Sequence, residues 1–225
     1  MEHLVEYANR PEEREDSHLV LMLHGYGSNE RDLLGLVPYL PAKGFTYAAM
    51  RAPQPVGATL PATASSAAIP GAAFGYQWYP LDRSLNTEFH AIRLATDYLE
   101  EFLSSVADTY RSVTLLGFSQ GMAMATSLAR RTPSLPSAIV GLSGYAVPDD
   151  SDYFRDDELA QAQLPVFYGR GDADPIITES LVEFTERWLP SHAQAETKVY
   201  PGLQHSINAE EMRDVAEFLT RVHQQ

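Results

Sequence analysis

The sequence predicts an α/β fold, a mainly parallel sheet with helices on both faces. Three observations carry this prediction. Short β-rich runs alternate with helix-periodic segments along the 225 residues, as in strands joined by crossover helices. Several of these runs are apolar throughout rather than alternating, as strands buried on both faces are. At 115–124, "LLGFSQGMAM", a run of β-formers stops at Gly117. One serine then stands between two glycines, and a helix-forming stretch begins.

In chain order, "LVEYA" (4–8) reads as a short edge strand. Strands follow at 18–25, 45–53, 112–118, 137–144, 164–171 and 196–202. A helix over 87–107 is marked by Phe89, Ile92, Leu99, Phe102, Leu103 and Val106 at helical spacing, with Asn86 as its cap. The last helix carries Met212, Val215, Ala216, Leu219 and Val222 on one stripe. Its start, "INAEE", resembles a capping box, with Asn208 in place of Ser or Thr and Glu211 three residues on. Segment 52–79 stands apart, being rich in Pro, Ala, Gly and Ser with no period, and reads as one long loop. No repeat or linker divides the chain, so 1–225 reads as a single domain of ordinary length.

Composition removes whole classes of function. The formal net charge of −14 repels phosphate backbones and anionic lipid headgroups, so nucleic acid is not an expected partner. Cysteine is absent, which excludes disulfides, thiolate metal ligands and a cysteine nucleophile. No His-x-x-x-His occurs, and the acidic run 148–158 lacks the glycine and spacing of a calcium loop. It reads as a solvated acidic loop, and no metal is expected. No apolar run approaches the roughly 20 residues that span a bilayer, and the first residues lack a signal peptide's basic and apolar regions. The expectation is a cytoplasmic protein without stable membrane insertion.

Chemistry enters through Ser119. Serine at a strand-to-helix junction can be a simple N-cap. Between Gly117 and Gly121 it can equally be a nucleophile on a strained turn. A serine hydroxyl attacks only when a histidine takes its proton and an acid orients that histidine, in the chain order Ser, acid, His on this kind of scaffold. His3, His18, His24 and His90 precede the serine. His223 falls in a frayed tail and His192 precedes the last strand. That leaves His205, in a loop between a strand's C-terminal end and a helix, where active sites of open α/β sheets gather. The residues alone leave the acid open between Asp172 and Asp174, just past the 164–171 strand. Two backbone amides should face the developing oxyanion. One is that of Gln120, after the nucleophile, and the other that of Tyr26, in the glycine-rich "LHGYGSN" loop. Ser143, in "GLSGY", lacks the second glycine at elbow spacing and reads as structural. The 52–79 loop leaves the same sheet edge. Its aromatics Phe74, Tyr76 and Trp78 either line the substrate pocket or pack elsewhere.

Taken together, "HGYG", "GFSQG", "GDADP" and "LQHS" resemble the phospholipase/carboxylesterase family of α/β-hydrolases, from about Leu19 to the C-terminus. The resemblance implies an α/β-hydrolase fold without a large cap domain and no cofactor. It implies a small-molecule acyl ester or thioester as substrate, so the activity is that of a carboxylesterase, with thioesterase or lysophospholipase as alternatives. It selects Asp174 over Asp172 as acid, with Ser119 as nucleophile and His205 as base. Met122, Arg170 and Thr178 depart from the family's usual residues and leave the triad untouched. A homodimer is compatible with this reading. The rival from another class, a binding protein on a hydrolase scaffold, would show a broken triad.

Overall fold

The computed structural model describes residues 3–57, 75–82, 85, 87–149 and 151–224. Its centre is a seven-stranded sheet in the order β1-β3-β2-β6-β7-β8-β9. The strands are β1 (Val5–Tyr7), β2 (His18–Leu23), β3 (Phe45–Met50), β6 (Ser112–Phe118), β7 (Ala138–Leu142), β8 (Pro165–Gly171) and β9 (Gln194–Tyr200). Every neighbouring pair is parallel except β1 with β3. The edge reading of 4–8 therefore matches an antiparallel edge strand.

The apolar runs sort residue by residue onto two cores, as strand alternation requires. Leu19, Leu21 and Leu23 of β2 face a core with α1 (Phe89–Val106), α2 (Gln120–Arg131) and α4 (Glu179–His192). Val20 and Met22 face the other core, with α5 (Ala209–His223) and the short helical turn Leu33–Tyr39. A further helix, α3 (Asp156–Ala162), lies against the first core through Leu159. Gln120 through Arg130 of α2 are all buried, because the helix is wedged between the sheet and α1 and α3. The strands at 112–118 and 164–171 fall where the apolar runs place them. β7 stops at Leu142, two residues early, because Ser143 takes a left-handed φ of 44°.

Several expectations need correction. Helix α1 starts two residues later than expected, with Glu88 at its N-cap, and Asn86 lies outside the described residues. The ends of segment 52–79 are ordered as an antiparallel pair, β4 (Gln54–Pro55) and β5 (Tyr76–Gln77), while 58–74 lie outside the described residues. His223 is not frayed, since its ring nitrogens sit 3.2 and 2.8 Å from the Ser112 and Thr114 hydroxyls. Its ring also stacks on His18. The acidic run is only partly solvated. The Asp156 carboxylate accepts two 2.8 Å bonds from Arg130, a fully buried side chain whose guanidinium also lies over Phe154. At α5 half of the capping box forms, with the Glu211 amide donating to Asn208 Oδ1 at 2.8 Å. The Glu211 carboxyl turns inward instead and is fully buried.

Candidate active site

Parallel strands deliver their C-terminal ends to one edge of the sheet. There the loops after β2, β6, β8 and β9 meet. Between β6 and α2, Ser119 takes φ 55° and ψ −119°, a strained conformation for a residue with a side chain, costing about 1–3 kcal/mol. The two glycines make it possible by allowing close approach. A Cβ on Gly121 would lie 1.8 Å from the Leu23 carbonyl oxygen, and one on Gly117 would lie 2.3 Å from the Gly121 backbone. The turn is then pinned on both sides. The Ser119 amide donates to the Leu142 carbonyl at 2.9 Å, and its own carbonyl accepts from Met122 at 3.0 Å. Met122 fits where it does because Gly141 and Gly144 leave room for its side chain.

His205 comes from the loop between β9 and α5, with its ring 5.0 Å from that of Phe118. Its Nε2 lies 3.0 Å from Ser119 Oγ, and its Nδ1 lies 2.8 Å from Asp174 Oδ2. A carboxylate only accepts, so Nδ1 carries the hydrogen and Nε2 is left to accept from the serine hydroxyl. Asp174 is a turn residue as well. Its Oδ1 accepts from the Ile176 and Ile177 amides at 2.8 and 3.2 Å, which fixes the carboxylate relative to the ring. Asp172 points elsewhere, to the Gly202 amide at 2.6 Å. The loops carrying Asp174 and His205 are held together. The Ala173 amide donates to the Leu203 carbonyl, and a Cβ on Gly171 would lie 1.8 Å from that same oxygen. Ser143, read from the sequence as structural, adds a bond from its hydroxyl to the Ser206 carbonyl at 3.2 Å.

Tyr26 lies in the loop after β2, next to Gly25, whose Cβ position would be 3.3 Å from the Ser119 Cβ. Gln120 is the first residue of α2, where a helix has an amide with no intrahelical acceptor. The Gln120 side chain has a separate task. Its Nε2 donates to the Tyr79 carbonyl at 2.8 Å, and its Oε1 accepts from the Trp78 amide at 3.1 Å.

The aromatics expected to line substrate are distributed differently. Phe74 lies outside the described residues. The Tyr76 ring carries the Arg51 guanidinium 4.4 Å above it, and Arg51 also forks onto the buried Glu30 carboxylate with two 2.6 Å bonds. Trp78 has no exposed surface and so cannot wall an open pocket. The physical reason is its indole N–H, which needs an acceptor when buried and finds the His24 carbonyl at 2.9 Å. A hollow of about 180 Å³ with mixed polar and apolar walls lies nearby, bounded by Tyr79, Thr87, Phe89, Ile92, Tyr145 and Asp149 among others. The Tyr79 and Tyr145 hydroxyls share a 3.1 Å hydrogen bond beside it.

Sequence reasoning missed His24. It is buried, and its ring bonds Gly25 O through Nδ1 while Nε2 accepts from the Ala52 amide, so it is held neutral. Burial lowers its pKa accordingly. Only its place in "HGYG" hinted at a role. Among the described residues no group of three or more His, Asp or Glu is arranged to hold a metal, and no helix is long and apolar enough to cross a membrane.

Comparison with known proteins agrees with this architecture. The phospholipase/carboxylesterase family profile matches residues 8–223. The acyl-protein thioesterase 1 of Kluyveromyces lactis is 26% identical over 211 residues, covering 91% of each chain. The crystal structure of esterase PE8 superposes with a TM-score of 0.75 at 25% identity, covering 99% of this chain and 100% of that one. Acyl-protein thioesterase 2 of Zea mays shares the fold, with a TM-score of 0.71 at 20% identity over 97% of this chain and 98% of that one.

Proposed function

The chain belongs to the phospholipase/carboxylesterase family of α/β-hydrolases, and from that membership we propose that it is a serine carboxylesterase working through an acyl-enzyme. The observation that carries the reading is the unbroken relay from Asp174 through His205 to Ser119, at 2.8 and 3.0 Å. The Ser119 hydroxyl gives its proton to His205 Nε2 as Oγ bonds to the acyl carbon, and the carbonyl electrons move onto oxygen. The Tyr26 and Gln120 amides bind that oxyanion. Its collapse breaks the bond to the alcohol, which leaves with the proton from Nε2. Water then repeats the sequence on the acyl-enzyme, giving its proton to His205, and the carboxylic acid departs as Ser119 is restored. Asp174 holds the Nδ1 tautomer and supports the imidazolium.

A second reading, an acyl thioester on the same centre, is favoured by the names of the Kluyveromyces and maize relatives. Ester and thioester substrates bearing one common acyl group, compared by kcat/KM, decide between the two. The test of the mechanism is Ser119→Ala. It should stay folded, lose turnover by roughly 10⁴- to 10⁶-fold, and take up no fluorophosphonate label. Near-normal ester hydrolysis by that variant overturns the proposal.

A further inference from the structure

The two amides assigned to the oxyanion come from different elements, one from the loop after β2 and the other from the head of α2, which already meet at Leu23 and Gly121. Beyond that contact, their separation is set by whatever else touches both. Residues 75–79 do. On one side Tyr76 accepts from the Gly27 amide at 2.9 Å and donates to the Ser28 carbonyl at 2.7 Å. Gly75 presses so close that a Cβ there would lie 1.9 Å from the Gly27 oxygen. On the other side the Gln120 side chain is clasped by the Trp78 amide and the Tyr79 carbonyl. Trp78 joins the two sides, because its indole N–H holds the His24 carbonyl, two residues before Tyr26. The His24 ring lies against the indole at 5.7 Å, and its neutral tautomer is locked by Gly25 and Ala52. Trp78, His24 and Gln120 are each at most 1% exposed, so water does not compete for these bonds.

We propose that Trp78 is a positioning residue for the oxyanion site, bracing the Tyr26 loop against Gln120 and so setting the gap between the two amides. This rests on the serine-hydrolase reading and adds to it a residue that touches neither substrate nor the reacting atoms. The brace acts where negative charge develops, so loosening it weakens the transition state and leaves substrate binding alone. A core-filling tryptophan would do the reverse, affecting stability and not rate.

The test replaces Trp78 by its benzothiophene isostere, which keeps the ring shape and removes only the N–H, with Trp78→Phe as a second variant. Rates are taken per site titrated by a fluorophosphonate. The expected result is a fall in kcat of about 10- to 100-fold with KM within about threefold, short of the 10² to 10³ lost when a whole oxyanion donor goes. Affinity for a trifluoromethyl ketone, which binds as a tetrahedral oxyanion, should fall by the same factor as kcat/KM. Unchanged kcat in the isostere overturns the proposal, whether or not Tm drops. So does a raised KM at constant kcat, which would mean that the ring meets substrate. Near-normal turnover in Ser119→Ala would instead strike the hydrolase reading, so the two failures are told apart.

Discussion

Replacing Glu211 by glutamine isolates the cost of one buried charge. The side chain is fully buried, and among the described residues neither carboxyl oxygen makes a well-formed hydrogen bond, the Asn208 backbone N–H being its one weak donor. It packs against β8 at Gly169, where a Cβ would lie 2.2 Å from Oε1. Burial pushes this carboxyl from the usual 4.5 up to about 7, with Asp214 adding to the rise and the Asn208 amide opposing it. A raised value means that the folded chain holds the proton more tightly than the unfolded chain. The stability this confers is fully present below pH 4.5 and is lost as pH climbs through about 7. The gap between those values corresponds to about 3 kcal/mol. Glutamine keeps the shape and carries no charge, so the cost of burying its amide is the same at every pH. The neighbouring Asp214, bonded to Lys198 and Tyr200 at 2.8 and 2.7 Å, is common to both proteins and cancels. Relative to wild type, Glu211→Gln should therefore gain about 3 kcal/mol of unfolding free energy between pH 4.5 and about pH 8. Urea unfolding at stepped pH measures this directly. Wild-type and variant stabilities that run parallel across the window would refute the reasoning.

The two aspartates past β8 should separate cleanly. Asp174→Asn should lower kcat by about 10⁴-fold, as loss of the orienting acid does. Asp172→Asn, whose carboxylate bonds the Gly202 amide and not His205, should stay within about tenfold, and the reverse ranking would move the acid upstream. Gly121→Ala must push α2 off the Leu23 carbonyl, because its Cβ would start 1.8 Å from that oxygen. A displacement of about 1 Å at the elbow should lower kcat/KM at least about 10²-fold in protein that still folds. Steady-state esterase assays beside circular dichroism check this, and normal kcat/KM in Gly121→Ala would remove the close-approach argument.

The strands were legible because burial on both faces leaves an uninterrupted apolar run, and the elbow because only glycine tolerates its contacts. Chain order found His205, yet the reason for setting His223 aside was mistaken. The Ser112 and Thr114 hydroxyls that hold it belong to a strand far away in sequence. The residues alone could not choose between Asp172 and Asp174, since each makes a turn-forming bond and the difference is where the second oxygen points. Trp78 was illegible for a related reason. Its partners are a main-chain carbonyl and a glutamine amide in two other segments, and neither leaves a pattern in composition or period. The inward turn of Glu211 was hidden behind a plausible capping box, of which only the Asn208 half exists.

The burial of α2 divides the site in time. A helix buried from Gln120 to Arg130 is expected to open only with the sheet it packs on, so its amides should exchange slowly. Ser119 and Gln120, at its head, thus share the lifetime of the whole fold. His205 sits on a half-exposed loop between β9 and α5, tied down at Leu203, His205 and Ser206 by bonds to Ala173, Asp174, Ser119 and Ser143. A half-exposed loop is expected to open locally at a lower cost than unfolding of the whole molecule. In the proposed mechanism the nucleophile would then be the more rigidly held partner and the base the less rigidly held one. On that reading, local opening of the His205 loop rather than of α2 would be what interrupts the relay in an intact molecule.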